Sequence, residues 1–447
     1  MPITGRLGRA TPFCTSGKKT VSMRHPVPII LAVLLALSLP VSAIGTAGSA
    51  GSATVANESD DEEQTFQFQN PSVSVEGDHA QLEGTPNRLV LRGDGKTAYA
   101  TPTLDFGLAV SSHDESIHTD YRTYAFENSL GEIEGDENRT EAVVAELERI
   151  EERIENLRER EQRIVAANAA ADSDVSEEEV LQTLARNYYE AQVLQRALND
   201  LDRQSAGIVD ISDSVDALTA ELEVYRGPIR TDIERAIRGV DESDDAAESN
   251  PTILLESASN GLTLSMLDGD TYVRETTRYD NRARDRSDQI RTMDNARGTA
   301  QELYPWAFET TTGTYTIKHD ATNLYQVQAL SHDQGQLTVY FDGGSNAVYH
   351  ERQTLDIDSI PIETTDAMSS DNVTATLERT PDTAPARITV TESGSETHVD
   401  ATVTVDGTVV GETGEDGKFW FVPPTDGFEL TVRAESTSLN AVEFPRR

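Results

Sequence analysis

The chain has 447 residues, and its 37 Lys and Arg residues against 78 Asp and Glu residues give a formal net charge of −41 at pH 7. This length allows roughly two to four domains, and apolar periodicity along most of the chain argues against a disordered acidic polymer. The charge also argues against nucleic acid as a partner, because no basic patch is available to displace counterions from phosphates.

The surplus of acid over base predicts adaptation to high salt. Only five of the basic residues are lysines. Such a charge destabilises a compact state by self-repulsion at low ionic strength, whereas molar salt shortens the screening length to roughly 3 Å and removes most of that cost. Because an acidic, lysine-poor composition is typical of extreme halophiles, we expect the source to be a halophilic archaeon.

Residues 1–43 have the pattern of a signal peptide. Basic Arg24 is followed by an apolar run at 29–39 and by a small-x-small motif that places Ala43 at the cleavage position. The run is shorter than the about 20 residues that span a bilayer, so cleavage after Ala43 is favoured over a membrane anchor, which stays the alternative. The pattern begins at Met23, so starts at Met1 and at Met23 both stay open. We expect an extracytoplasmic protein, secreted or at the cell surface.

Cysteine usage and glycosylation sequons fit an exported chain. Cys14 is the only cysteine and precedes the cleavage position, so the mature chain has neither a disulfide nor a thiolate metal site. Asn57, Asn138 and Asn372 each begin an Asn-x-Ser/Thr sequon, and they are our candidate glycosylation sites.

The mature chain begins with a linker and a small domain. Residues 44–64 are mostly Gly, Ala, Ser and acidic residues that have nothing to bury, which predicts a flexible acidic linker. Short strand-like pieces around a glycine turn at 93–95 predict a small β-rich domain over 65–135, in which 116–126 has a helical pattern.

Residues 138–240 have the clearest helical pattern. Apolar side chains recur at alternating four- and three-residue steps and are interrupted once, by Glu161, as in a coiled coil. They are Val143, Leu147, Ile150, Ile154, Leu157 and Ile164. A capping box at Ser176 and Glu179 begins a second helix, and Gly227-Pro228 kinks or interrupts a third. Short connections require antiparallel neighbours, so we predict an antiparallel helical hairpin or a three-helix coiled-coil-like bundle.

Residues 251–362 are predicted to form an α+β domain. The dipeptides Asn260-Gly261 and Asp268-Gly269 favour tight hairpins and predict a three-stranded meander. A polar helix at 284–306 and four more strands follow, and helices segregated from antiparallel strands make an α+β unit.

The C-terminal part is predicted to be a linker and a sandwich. Residues 363–384 are rich in Thr, Ser, Asp and Pro, which predicts a linker, and alternating strands over 385–447 predict a small β-sandwich. The predicted fold class is therefore α+β multidomain, with a central helical bundle flanked by β-rich domains and a C-terminal β-sandwich.

The chain has no motif that specifies a catalytic, cofactor or metal site. Gly95-Lys96-Thr97 lacks the earlier glycine and the following helix of a phosphate-binding loop. His113, His118 and His350 each lack a second histidine one helical turn away, and we expect surface histidines. No nucleophile elbow occurs, and acids are too abundant for a carboxylate pair to stand out. We therefore assign no catalytic, cofactor-binding or metal-binding residue, and we predict that the protein is not an enzyme.

Several motifs resemble known families. The runs Leu104-Asp105-Phe106-Gly107 and Tyr225-Arg226-Gly227-Pro228, together with residues 268–275, resemble an uncharacterised family of exported haloarchaeal proteins, which implies an extracytoplasmic location but no activity. Residues 406–423 resemble carboxypeptidase-regulatory-like β-sandwiches, which serve as spacers or adhesive modules. The segment from Trp306 to Tyr349 is similar to PepSY-type domains, which are implicated in modulating peptidases.

Three functional hypotheses follow from these patterns. The first is a non-catalytic, exported or cell-surface spacer or interaction module with a protein partner. The alternative is a modulator or binder of an extracellular peptidase or peptide through 251–362. The third is an enzyme with an unrecognised site, and the oligomeric state stays open.

Overall fold

The computed structural model describes residues 88–239, 251–370, 373–381, 384–425 and 427–434, together with the backbone of short strands near both ends. The predicted cleavage position at Ala43, the linker at 44–64 and the candidate glycosylation sites Asn57 and Asn372 lie outside the described residues.

The first part of the fold consists of five strands and then five helices. The strands are β1 (Thr65–Phe68), β2 (Ser74–Glu76), β3 (His79–Gln81), β4 (Arg88–Leu89) and β5 (Gly95–Ala100). The helices are α1 (Phe106–Glu132), α2 (Asp136–Asn168), α3 (Glu177–Ser205), α4 (Ser212–Glu223) and α5 (Pro228–Arg238).

The middle part alternates strands with two helices. It contains β6 (Ile253–Ala258), β7 (Gly261–Asp268), β8 (Thr271–Arg278), α6 (Met293–Leu303), α7 (Pro305–Phe308), β9 (Thr314–His319), β10 (Leu324–His332), β11 (Gly335–Asp342) and β12 (Ala347–Asp356). The predicted polar helix begins only at Met293, where Thr292 caps it by accepting a hydrogen bond from the Asn295 amide at 3.2 Å. Residues 284–292 are therefore irregular, in contrast to the prediction.

The C-terminal part is all β. Its strands are β13 (Thr364–Ser369), β14 (Val373–Arg379), β15 (Ala386–Glu392), β16 (Ala401–Val405), β17 (Thr408–Glu412), β18 (Lys418–Phe421), β19 (Phe428–Ala434) and β20 (Val442–Phe444). One sheet has the order β1-β19-β16-β17 with β20 beside β19, and the other has the order β13-β14-β15-β18. Apolar side chains of both sheets, such as Leu377, Ile388, Val403 and Leu430, share one core, so the predicted β-sandwich is confirmed.

The centre of the molecule is one antiparallel sheet of eight strands in the order β5-β6-β7-β8-β12-β11-β10-β9. Its strands carry nearly continuous buried side chains because both faces are covered, as the burial of β6 and β7 illustrates. Helices α3 and α5 bury Leu181 and Ile233 against Leu264 and Val273 on one face.

Two different parts of the chain cover the opposite face of this sheet. Helices α6 and α7 lie over the half formed by β10 and β11, where Ala300 packs with Val327 and Val339. The C-terminal sandwich contacts the other half, where Val422 packs with Tyr272 and Leu355. The sheet is thus the middle layer of the fold, and the coarse prediction of an α+β protein with antiparallel sheets is confirmed.

Helices α2 and α3 run antiparallel. Asn168 at the end of α2 donates to the Val175 carbonyl at 3.0 Å just before α3, and Arg160, two turns earlier, donates to Asn187 at 2.7 Å. The capping box is confirmed, since the Glu179 amide donates to Ser176 Oγ at 3.2 Å and the Ser176 amide donates to the Glu179 carboxylate at 3.0 Å.

The structure does not show three separate domains at 65–135, 138–240 and 251–362, as the sequence predicted, because residues of all three pack together. Strand β5 pairs with β6 from Gly95↔Ala258 to Ala100↔Ile253, and α3 and α5 pack on the sheet they join. Residues 106–132 form one helix, which includes the predicted helical stretch at 116–126 but occupies much more of the predicted β-rich domain. Local patterns do not reveal a strand pair whose members are separated by five helices, which explains the difference.

The prediction of a linker at 363–384 is wrong. Strands β13 and β14 occupy most of this stretch, and Ala375 and Leu377 point into the sandwich core while Thr376 and Glu378 are partly exposed. Composition suggested a linker, but Thr is a good strand residue and the apolar side chains alternate with period two.

Candidate functional site

Helix α1 exposes an apolar stripe. Phe106 is 73% exposed, Val110 69%, Ile117 54%, Tyr121 69% and Tyr124 64%. Spacings of four, seven, four and three residues put these side chains on one side of a helix. We call these five residues the α1 stripe.

The α1 stripe concentrates exposed apolar surface in one place. Of the twelve large apolar side chains that are exposed among the described residues, six lie between Leu104 and Tyr124. Single exposed apolar residues are ordinary, whereas a contiguous patch marks an interaction site on a soluble protein. The α1 stripe is therefore the strongest candidate for a binding surface.

Apart from Leu130 near its end, the buried residues of α1 are small and polar. Ser112, Ser116 and Thr119 are at most 8% exposed where α1 packs on α3. Arg153 donates to Thr119 Oγ1 at 3.1 Å and Arg196 donates to Ser116 Oγ at 3.2 Å. Small side chains allow close helix approach, so the helix is docked on its polar side and presents its apolar side outward.

The start of α1 is also fixed. Asp105 caps the helix by accepting a hydrogen bond from the Leu108 amide at 3.0 Å, and its own amide donates to the Ile237 carbonyl at 2.9 Å. Leu104 lies against Gly239, where an added Cβ would be 2.9 Å from the leucine Cδ1. Helix α1 is thus anchored to α5 as well as to α2 and α3, and the α1 stripe is exposed in this anchored position.

A buried ion network joins the helices to the sheet. Glu161 of α2 and Arg230 of α5 are 0% and 1% exposed, and the guanidinium donates to both carboxylate oxygens at 2.7 and 2.8 Å. Tyr279 Oη and Asn187 Nδ2 also donate to this carboxylate, at 3.0 and 3.2 Å. Burial alone lowers the pKa of Arg230, but the neighbouring Glu161 and Glu275 carboxylates outweigh it and raise the pKa overall.

Glu275 extends this network to strand β8. Its carboxylate accepts the Ile229 amide at the start of α5 at 3.0 Å and lies 3.6 Å from Arg230 Nε. Gly227 is in direct contact with the same carboxylate, because a Cβ there would be 2.0 Å from Glu275 Oε1. The Gly227-Pro228 break predicted from the sequence therefore has a packing role, which is to let a carboxylate reach the amino end of α5.

A second buried network lies on the other face of the sheet. Glu351, 0% exposed, accepts hydrogen bonds from Arg274 at 3.1 Å, from Tyr304 Oη at 2.6 Å and from the Leu89 amide at 2.7 Å. Gln353 donates to it as well, at 3.0 Å. Burial raises the pKa of the Glu351 carboxyl against the opposing effect of Arg274.

The two networks hold layers together rather than forming a reaction centre. Glu161 and Glu351 each take up three or more donors from different elements and are sealed from solvent. A buried carboxylate with a full set of donors is stabilised in one orientation and has no free position for a substrate. The break in the apolar series at Glu161 was the only sign of either network in the sequence.

The sequence-predicted positions are dispersed. Asn138 is exposed in the first turn of α2, and its side chain donates to the Glu134 carbonyl at 2.8 Å. His113 and His118 are exposed on α1, as predicted. His350 is 0% exposed with Nδ1 2.9 Å from Thr277 Oγ1, so the prediction of a surface histidine is wrong there, because β12 is covered on both faces.

Gly95-Lys96-Thr97 belongs to strand β5 and borders a cleft of about 120 Å³. Lys96 Nζ is 2.5 Å from the Glu177 carboxylate, so the cation is neutralised within the fold. This arrangement agrees with the rejection of a phosphate-binding loop.

The described residues contain neither a group of metal ligands nor a membrane-spanning helix. Within them, no three His, Cys, Asp or Glu side chains are grouped as a metal ion would require. No helix in the same part of the chain is both long enough and apolar enough to cross a bilayer.

Three family models match the chain. Residues 23–242 match a domain of unknown function (DUF7096), 253–361 match a family of unknown function (DUF7094), and 364–441 match an archaeal fibronectin-III type-like domain. The chain is therefore similar to uncharacterised archaeal proteins with a C-terminal β-sandwich, and no enzyme family is indicated. No curated protein and no solved structure matches the chain.

The first two matches meet between α5 and β6, although β5 and β6 are neighbours in one sheet. Each of these two regions thus contributes strands to the same layer. We infer that they form one structural unit, which the third region extends.

Proposed function

We propose that this protein is a non-catalytic interaction module, exported to the outside of a halophilic archaeal cell, which binds a protein partner through the α1 stripe. The observation that carries the proposal is a rigidly docked helix with five apolar side chains that are 54–73% exposed. Leaving this much apolar surface in water is unfavourable unless a partner covers it.

Other features support the same function. The signal-peptide pattern at 1–43 favours an extracytoplasmic location, and the net charge of −41 favours a high-salt medium. The matches to domains of unknown function and to a fibronectin-III type-like domain are compatible with a spacer or interaction role. Helices α2 and α3 then serve as the support that presents α1 to a partner.

Site-specific photo-crosslinking in cells at native salt tests the proposed surface. A photoreactive amino acid at Tyr121, within the α1 stripe, is expected to give a discrete crosslinked band. The matched control is Val409, which is 60% exposed but stands alone on the hairpin of β16 and β17. Equal crosslinking at both positions, or none at Tyr121, would contradict the proposal.

The predicted export has its own test. Fractionation is expected to place the chain outside the cytoplasm, with a mature amino terminus at Ile44. A chain found in the cytoplasm with residues 1–43 intact would overturn this part of the proposal.

A second candidate function is binding of an extended peptide or of an extracellular peptidase through the α+β region. Strand β9 is paired on one side only among the described strands, and a groove of about 410 Å³ lies between it and α4. Free strand edges bind extended peptides by adding a strand. Inhibition or binding of a secreted protease at molar salt, lost in Ile317→Glu at this groove, would favour it over the first proposal.

A further inference from the structure

Three residues of the α1 stripe, Val110, Ile117 and Tyr124, are symmetrically spaced along the helix. Val110 and Tyr124 lie seven residues to either side of Ile117, whereas Phe106 and Tyr121 have the exposed polar residues Asn128 and His113 at the equivalent positions. Seven residues are two turns of a helix in a coiled coil, so all these positions share one face. An antiparallel copy of the same helix, crossing at Ile117, would place Val110 opposite Tyr124 in both halves.

We infer that the α1 stripe is covered by a second copy of this chain, with the two α1 helices antiparallel about a two-fold axis at Ile117. This inference rests on the proposed function of the stripe as a docking surface and names its partner. Two-fold interfaces use the same patch on both subunits, which requires a surface that is complementary to itself. The spacing of Val110 and Tyr124 about Ile117 meets that requirement at the centre of the contact.

The available area is sufficient for a dimer. Aromatic side chains bury roughly 150–250 Å² each, so the exposed fractions of the five stripe residues leave about 600 Å² of apolar side chain per copy to be covered. Two copies together would bury about 1,200 Å², which is the lower end of the range for specific interfaces. We therefore expect a reversible dimer rather than a permanent one.

The length of α1 fits this arrangement. Its 27 residues extend for about 40 Å, which exceeds the span of the stripe from Phe106 to Tyr124. The helix has no proline or internal glycine between 108 and 130, so nothing bends it away from a straight neighbour.

The charges beside the stripe argue against a membrane as the occupant. Helix α1 carries five acids and one basic residue, Arg122. Helices that lie on membranes are rich in Lys and Arg, which attract anionic headgroups. An acidic helix of this kind is repelled from such a surface.

The same charges predict how a second copy responds to salt. In the antiparallel arrangement Asp114 lies opposite Asp120 of the partner, since both are three residues from Ile117. Their repulsion opposes association at low ionic strength, and molar salt screens it. Association should therefore strengthen, not weaken, as salt is raised.

Sedimentation of the full chain over a concentration series in about 2 M KCl tests the dimer. We expect a monomer–dimer equilibrium and a dissociation constant at least about 100-fold higher in Ile117→Glu, because each dimer would bury two unpaired carboxylates at its axis. Val409→Glu places the same charge on another exposed apolar site and should leave the equilibrium unchanged. Since Ile117 is 54% exposed, unchanged circular dichroism should accompany its substitution.

Oxidative cysteine crosslinking tests the two-fold axis. In a Cys14→Ser background the chain has no other cysteine. Ile117→Cys alone should form a disulfide dimer under copper phenanthroline, as should the double variant Val110→Cys with Tyr124→Cys. Val110→Cys alone should not, because the two copies of this position lie about 20 Å apart in the antiparallel pair.

The outcomes separate this inference from the proposed function. A strict monomer at all concentrations, or efficient crosslinking of Val110→Cys alone, overturns the antiparallel dimer. If Tyr121 then still crosslinks in cells to a different protein, the stripe is a docking surface for that protein and only the inferred partner is wrong. Absence of both dimer and crosslink overturns both.

Discussion

The substitution Glu161→Leu has opposite expected effects on stability, depending on whether the sequence pattern or the structure is used to predict it. By pattern alone the substitution completes the apolar series of α2 and should stabilise it. In the structure it removes the carboxylate that holds Arg230, which is 1% exposed, and removes the acceptor of Tyr279 and Asn187. Breaking one side of a buried ion pair costs about 3–5 kcal/mol, and burial of the leucine offsets about 1–2 kcal/mol of that. We expect Glu161→Leu to lower the free energy of unfolding by about 1–4 kcal/mol.

The partner residue supplies the control. Adding Arg230→Met removes the unpaired cation, so the double variant should recover at least half of the loss, because apolar replacements of buried ion pairs are often nearly neutral. The assay is denaturant unfolding in molar KCl, followed by circular dichroism, with the slope compared to check that unfolding is unchanged in extent. A Glu161→Leu variant as stable as the parent, or a double variant less stable than the single one, would refute the reasoning.

Three further predictions concern packing, pH and salt. Gly227→Ala should lower the free energy of unfolding by about 2 kcal/mol, because the added Cβ collides with the Glu275 carboxylate. In a Glu275→Ala background the same change should cost under about 1 kcal/mol, which a double-mutant cycle in denaturant would measure. Burial, with Arg352 and Arg230 nearby, lowers the pKa of His350 well below that of an unfolded histidine, so the unfolded chain binds more protons below about pH 6.5. Stability should therefore fall by up to about 1.4 kcal/mol per pH unit as pH drops from about 6.5 to 5.5. The fall should be less steep in His350→Gln and unchanged in the control His118→Gln, whose ring is exposed. Equal slopes in the two variants would contradict this prediction. Finally, raising KCl from about 0.1 to 2 M should increase the free energy of unfolding, and a flat response would exclude surface repulsion as the reason for the acidic composition.

Local signals predicted those elements whose cause is local. The capping box at Ser176 begins α3, the hairpin dipeptides Asn260-Gly261 and Asp268-Gly269 join β6, β7 and β8, and Gly227-Pro228 separates α4 from α5. Each depends on the conformational preference of a few neighbouring residues. That preference can be read from one sequence.

Features that depend on distant contacts could not be predicted in this way. The pairing of β5 with β6 joins residues separated by five helices, and the Thr-rich strands at 364–379 are defined by a sandwich core that their own composition does not suggest. The α1 stripe was missed for a related reason. Its apolar residues fit an ordinary amphipathic helix, and only the structure places the small side chains of Ser112 and Ser116 inward and the apolar ones outward.

The use of arginine links the buried networks to the acidic surface. Four arginines of the described chain are at most 7% exposed, namely Arg88, Arg230, Arg274 and Arg278. A guanidinium stays charged when buried and offers five donors, so it can satisfy several acceptors where a lysine would lose its proton. Because buried acids such as Glu161, Glu275 and Glu351 accompany these arginines, the buried networks largely neutralise themselves and the net negative charge stays at the surface. Since buried pairs are screened little by salt, the cost of Glu161→Leu should be the same at low and molar KCl, while the stability of the parent changes. Salt then controls how stable this fold is, and the buried pairs determine how its layers fit together.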